Sequence, residues 1–166
     1  MIRKIFGVTC LALAEWPRPS QAQELPELPG PLAAFVEEAR VACADFEGGT
    51  LAVEWGAVRR VDLDGDLRPD WALNESGFAC SSAASLFCGT GGCRTHFMMR
   101  DASGEGSVGS FLNRGWEAFT FGRDRVVLLD VHGSACGGIN PTPCVSAVVW
   151  DAEGGAWRTV QAPPEG

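Results

Sequence analysis

Val58-Arg-Arg-Val61-Asp62-Leu-Asp64-Gly65-Asp66-Leu67-Arg68-Pro69-Asp70-Trp-Ala-Leu73 sets two short β-type runs on either side of a dense acidic loop. Val58–Val61 is bounded by β-branched valines and Trp71–Leu73 is apolar, and Gly and Pro lie between them, so the segment reads as strand, loop, strand. The same grammar continues along the chain. Leu51–Trp55, Asp70–Leu73, His96–Arg100, Ser110–Leu112, Trp116–Phe121, Val126–Val131, Val145–Trp150 and Trp157–Val160 are further strand candidates separated by Gly, Asn, Asp and Pro. Asp151–Gly155 reads as the loop of a hairpin. Val126-Val-Leu-Leu129 is continuously apolar and predicts a central strand buried on both faces. Ser81–Phe87 predicts one or two helical turns. Upstream, Leu32, Phe35, Val36, Ala39 and Cys43 recur at helical spacing, Glu37, Glu38 and Arg40 lie opposite, and Pro31 suits a first turn. The expected class is mainly β (α+β): a small disulfide-stapled antiparallel domain over 32–166, with a helix at about 31–43 behind an extended lead-in at 23–31.

The loop itself is the sharpest chemical signal. Calcium is a hard cation that takes six to eight oxygens. Carboxylates stand at positions 1, 3, 5 and 9 of this loop, namely Asp62, Asp64, Asp66 and Asp70. Position 7, Arg68, would contribute its backbone carbonyl, so its side-chain charge is immaterial on this reading. Four carboxylates within nine residues repel one another unless a cation sits among them. An EF-hand is excluded, because Leu67 stands where that loop has Gly, Leu73 stands where it has a bidentate Glu, and the flanks are strands. The segment resembles instead the FG-GAP/VCBS type of calcium loop, in which D-x-D-G-D-x-x-x-D joins two strands of an extracellular β-structure. That resemblance covers about a dozen residues and implies that Asp62, Asp64, Asp66 and Asp70 are side-chain ligands of calcium. The loop occurs once, so a propeller does not follow. Leu67 departs from the Gly often found there; a positive φ at this position would cost on the order of 1 kcal/mol.

The N-terminal residues point to export. Arg3 and Lys4 precede an apolar run from Ile5 to Ala14, which is too short for the roughly 20 residues a membrane span needs. Ser20-Gln21-Ala22 places cleavage after Ala22. Cys10 is not preceded by a good lipobox, so a lipoprotein is rejected. Removing 1–22 takes away a net charge of +2 and moves the chain from −8 to −10. It also removes one of seven cysteines and leaves six, an even set suited to an oxidising compartment. Six cysteines allow 15 connectivities. The favoured set is Cys88–Cys93 and Cys136–Cys144, each closing a short Gly- or Pro-containing loop, with Cys43 reaching Cys80. Their spacing lacks the C-x2-C pairs of zinc sites. A strongly acidic chain without a basic patch argues against nucleic acid.

No coherent catalytic set emerges. His132 and Ser134, in His132-Gly-Ser-Ala-Cys136, are the best pair for a nucleophile and its base. There is no G-x-S-x-G elbow, Cys136 is needed for a disulfide, and nothing links His96 to Ser134. Cys88-Gly-Thr-Gly-Gly-Cys93 lacks the P-loop lysine. Acid pairs such as Glu54 with Asp62 or Asp124 with Asp130 are cheap in so acidic a chain, and most of the six tryptophans sit at strand positions as core. The expectation is a periplasmic or secreted, calcium-stabilised, monomeric, non-catalytic binding domain for an unknown protein or glycan. A small hydrolase using His132 and Ser134, or an inhibitor of an extracytoplasmic enzyme, are the alternatives.

Overall fold

The computed structural model describes residues 25–100, 106–122 and 124–160. The expected signal peptide at 1–22 lies outside the described residues. Among the described residues a single α-helix, α1 (Gly30–Asp45), is followed by eleven strands: β1 (Leu51–Val53), β2 (Val58–Val61), β3 (Asp70–Asn74), β4 (Phe78–Cys80), β5 (Cys88–Gly89), β6 (Gly92–Met98), β7 (Val108–Asn113), β8 (Gly115–Phe121), β9 (Asp124–Asp130), β10 (Val145–Asp151) and β11 (Ala156–Val160). All the pairings among them are antiparallel.

The helix begins where the sequence places it. Pro29 takes an extended conformation, its carbonyl accepts from the N–H groups of Leu32 and Ala33 at 2.9 Å each, and Pro31 occupies a first-turn position where no amide is needed. Leu32, Val36, Ala39 and Cys43 are buried along one stripe. The end is closed by left-handed backbone at Glu47 (φ 53°), which turns the Gly48 N–H back to the Ala44 carbonyl at 3.0 Å.

The strands form two main sheets. In the first, β6 is central, flanked by β3 and then β2 on one side and by β7 on the other, while β5 pairs with its start. In the second the order is β11-β10-β9-β8. A short β1–β4 ribbon completes the set. Period-two alternation makes β3 and β6 face two cores at once. Leu73 and Met98 pack with Leu32, Val36, Ala39 and Phe78 under the helix. Ala72, Phe97 and Met99 pack with Val127, Leu129 and Val148 between the sheets. The order of layers is therefore helix, sheet, sheet.

Three disulfides pair Cys43 with Cys80, Cys88 with Cys93 and Cys136 with Cys144, the favoured connectivity. The first ties the end of α1 to β4 across 37 residues of chain. Disulfides of this kind form and persist in oxidising environments, and the set points toward one. Among the described residues, no helix is long and apolar enough to cross a membrane.

Three expectations need correction. Ser81–Phe87 makes turns and an isolated bridge from Cys80 to Ala83, with no helix, because the Cys43–Cys80 bond and the Cys88–Cys93 hairpin hold both of its ends. The run Val126–Leu129 lies in an inner strand, but only Val127 and Leu129 are fully buried; Val126 and Leu128 lie on the outer face of the second sheet. The doubly covered strands are β3 and β6. The strand expected at His96–Arg100 is the second half of β6, which starts at Gly92.

Candidate metal centre

The acidic loop crosses from β2 to β3, whose pairing sets Val61 opposite Asp70 and so brings the two ends of the loop together. Leu63 is its anchor: fully buried, it inserts into the core between the sheets beside Ala72 and Phe97. The acids around it then fold the backbone by local bonds. Asp62 Oδ1 accepts from Gly65 N–H at 2.7 Å, Asp64 Oδ1 from Asp66 N–H at 3.0 Å, and Asp66 Oδ1 from Arg68 N–H at 2.7 Å. The turn needs left-handed backbone at Gly65 (φ 90°) and at Leu67 (φ 65°). Glycine adopts that region freely, whereas leucine is strained by its Cβ. The position that departs from the glycine of similar loops is thus one where glycine would be at ease.

Asp70 closes the loop from the strand side. It is almost wholly buried, with Oδ2 accepting from Leu63 N–H at 3.0 Å and Oδ1 from Arg100 N–H at 3.1 Å. Asp62, Asp64 and Asp70 each bring a carboxylate oxygen to within 4.8 Å of the others. Oxygens sharing one calcium at about 2.3–2.6 Å lie no more than about 5 Å apart, so this separation fits a common ion. All the donors are hard oxygens, as calcium requires.

The fourth expected ligand is turned away. Asp66 Oδ2 is paired with Arg68 Nε at 2.8 Å, outside the three-carboxylate group. The Arg68 side chain thus engages Asp66, in addition to the carbonyl role expected of that residue. This pair is largely exposed, and such pairs contribute about 0–1 kcal/mol, so releasing Asp66 to a cation costs little. Arg125 of β9 reaches Asp62 Oδ2 at 3.3 Å and ties the second sheet to the loop. Arg60 is directed elsewhere, donating to the carbonyls of Pro69 and Asp70 and lying over the Trp71 ring at 4.0 Å.

The charges respond accordingly. Burial pushes Asp70 above the usual carboxylate range against the pull of its two N–H donors, and the charges of Asp64 and Asp66 add to the rise. Burial also raises Asp64, with Asp66 and Asp62 contributing repulsion. At Asp62 burial acts the same way but is outweighed by Gly65 N–H and Arg125, which hold it low. Two arginines contact a cluster of four carboxylates, leaving an excess of two negative charges. A cavity of about 280 Å³ opens beside Asp64, lined by Phe121, Asp124, Arg125, Val126, Val149 and Trp150.

His132 and Ser134 do meet, with Nδ1 and Oγ 2.8 Å apart. The contact is local: His132 is the N-cap of a short 3-10 turn over Gly133–Cys136 and accepts from Ser134 N–H at 3.2 Å. Among the described residues no third group orients its other nitrogen. Glu54 and Asp62, and Asp124 and Asp130, are not joined into a dyad by any described contact.

A set that sequence reasoning missed lies under the helix. His96 is fully buried, stacked on Phe35 at 3.8 Å, with Nδ1 2.7 Å from Ser110 Oγ and Nε2 2.9 Å from Glu75 Oε1. Ser110 is its direct cross-strand neighbour on β7, and Glu75 follows β3 in a 3-10 turn. The available signal was a histidine set within the apolar Thr95-His-Phe-Met98 run.

No family model matches the chain, and neither a curated protein nor a solved structure does.

Proposed function

We propose that this chain is an exported interaction module, periplasmic or secreted, stabilised by three disulfides and by calcium held at Asp62, Asp64 and Asp70, with no catalytic role for the metal. The observation that carries the reading is the convergence of those three carboxylates on a loop anchored by Leu63. Asp66 joins as a fourth ligand when it leaves Arg68, and the Arg68 carbonyl completes the protein's share, as the FG-GAP/VCBS-type pattern implies. Burial raises Asp64 and Asp70 and mutual repulsion adds to it; bound calcium would supply positive charge against both. The three disulfides support an oxidising compartment. Extracellular calcium modules bind at about 10⁻⁴–10⁻³ M. A concentration of 10 mM, roughly 10–100 times that constant, adds about 1.4–2.7 kcal/mol. Melting in chelator against 10 mM calcium tests it: a rise of several degrees is expected, lost in Asp64→Asn, and an unmoved transition refutes the metal.

A second reading, hydrolysis, is favoured by one observation, the Ser110–His96–Glu75 chain of contacts, which has the distances of a nucleophile, base and orienting acid. It ranks below the first because the His96 ring is fully buried beneath Phe35. Labelling of Ser110 by a fluorophosphonate probe, abolished in His96→Gln, would establish it; an unlabelled Ser110 would remove it.

A further inference from the structure

Among the described residues the second sheet is covered on one side only. Its inner face packs Val127, Leu129 and Val148 against the first sheet. Its outer face carries Phe119, Val126, Leu128, Ala147, Val149 and Val160 as neighbours across four strands. Phe119 pairs with Val126, Leu128 with Ala147, and Ala147 with Val160, so the register places them on one surface. None of the six is fully buried; Phe119 and Val160 are about half exposed. Exposed sheet faces in antiparallel structures ordinarily alternate to polar residues, and a contiguous apolar patch marks a surface with an occupant. At one end, Phe121 (79% exposed), Val126 and Val149 also line the cavity beside Asp64, so groove and face are continuous.

Charge and size define that occupant. Among the described residues the rim is acidic: Glu117 and Asp124, both exposed on this surface, have no cation paired with them, whereas Arg114 and Arg158 are each paired with an acid beside them, Asp130 and Asp151. With a chain charge of −8, a second copy laid on this face would bring like charges together. Four strands spaced at about 4.8 Å, each contributing about six residues, present a footprint of roughly 400 Å². The face is wide enough to seat one helix or strand.

We infer that the outer face of the second sheet docks a basic amphipathic segment of another protein, its apolar side on Phe119, Val126, Leu128 and Val149 and its Lys or Arg residues on the acidic rim. This deepens the interaction-module reading and rests on it, but is independent of calcium. The test titrates the folded, oxidised protein, in calcium and in chelator, with a short Leu/Lys amphipathic peptide and its Leu/Glu counterpart. Saturable, salt-sensitive binding of the Leu/Lys peptide alone is expected, weakened about tenfold or more in Phe119→Thr/Val149→Thr. It should be unchanged in Glu37→Gln/Glu38→Gln on the far side of the molecule. Absence of saturable binding, equal binding of both peptides, or equal binding by the face variant overturns the inference. So does a dimer in solution that the face variant dissolves, since the occupant is then a second copy. A null calcium titration with retained peptide binding would sink the metal and leave this surface standing.

Discussion

Replacing Asp70 separates the structural work of the loop from its affinity for a cation. In the absence of calcium its buried carboxylate satisfies two backbone donors from segments distant in sequence, Leu63 N–H and Arg100 N–H. Asp70→Ala leaves both without a partner. Each buried unsatisfied donor costs about 1–3 kcal/mol, so the loss is about 2–6 kcal/mol. Burial, with the repulsion of Asp64 and Asp66 added, holds Asp70 above the usual carboxylate range; removing the carboxyl relieves both, so the expected value lies in the lower half, about 3 kcal/mol. Asp70→Asn keeps one acceptor and sets an amide N–H against the other donor, at about half that cost. Asp66→Asn removes only an exposed pair with Arg68 and costs under about 1 kcal/mol. Urea denaturation in chelator with the disulfides intact gives the three values. A cost below about 1 kcal/mol for Asp70→Ala would refute the role of Asp70 as the closure of the loop. Equal costs for Asp66→Asn and Asp70→Ala would refute the division between them.

Leu67→Gly removes a strained left-handed leucine that is 88% exposed and gives up no packing. Strain relief of about 1–2 kcal/mol exceeds the roughly 0.4–1 kcal/mol of added unfolded-state entropy, so denaturation should show a gain of about 0.5–1 kcal/mol. Cys43→Ala/Cys80→Ala opens a loop of 37 residues and should cost about 4 kcal/mol by chain entropy, a fall in melting temperature of roughly 10–16 °C. Asp151 is held below its ordinary value by Gly154 N–H and then by Arg158. Its contribution to the β10–β11 hairpin is therefore complete above the unfolded carboxylate value, about 3.9, and is lost as pH falls through the lower folded value. Amide exchange in that hairpin should accelerate below about pH 4, and Asp151→Asn should abolish that acid-dependent increment.

The parts legible in the sequence were those written in local spacing. Leu32, Val36, Ala39 and Cys43 describe a helix by themselves, and Cys88–Cys93 and Cys136–Cys144 are close enough in the chain to find each other. The convergence of Asp62, Asp64 and Asp70 was legible because their spacing folds them onto one loop. What escaped depends on contacts between distant segments. Whether Asp66 faces the cluster turns on the rotamer of Arg68. Phe78–Cys80 is too short to show alternation. An apolar run such as Val126–Leu129 reads the same whether its second face is covered or open. Glu75, His96 and Ser110 lie 21 and 14 residues apart and meet only through strand pairing.

The most direct measurement is a crystal structure grown in calcium, with anomalous scattering recorded at the loop. The expected result is a peak coordinated by Asp62, Asp64 and Asp70 oxygens at about 2.3–2.6 Å, with Asp66 released from Arg68. A featureless loop with the Asp66–Arg68 pair intact at millimolar calcium would contradict it.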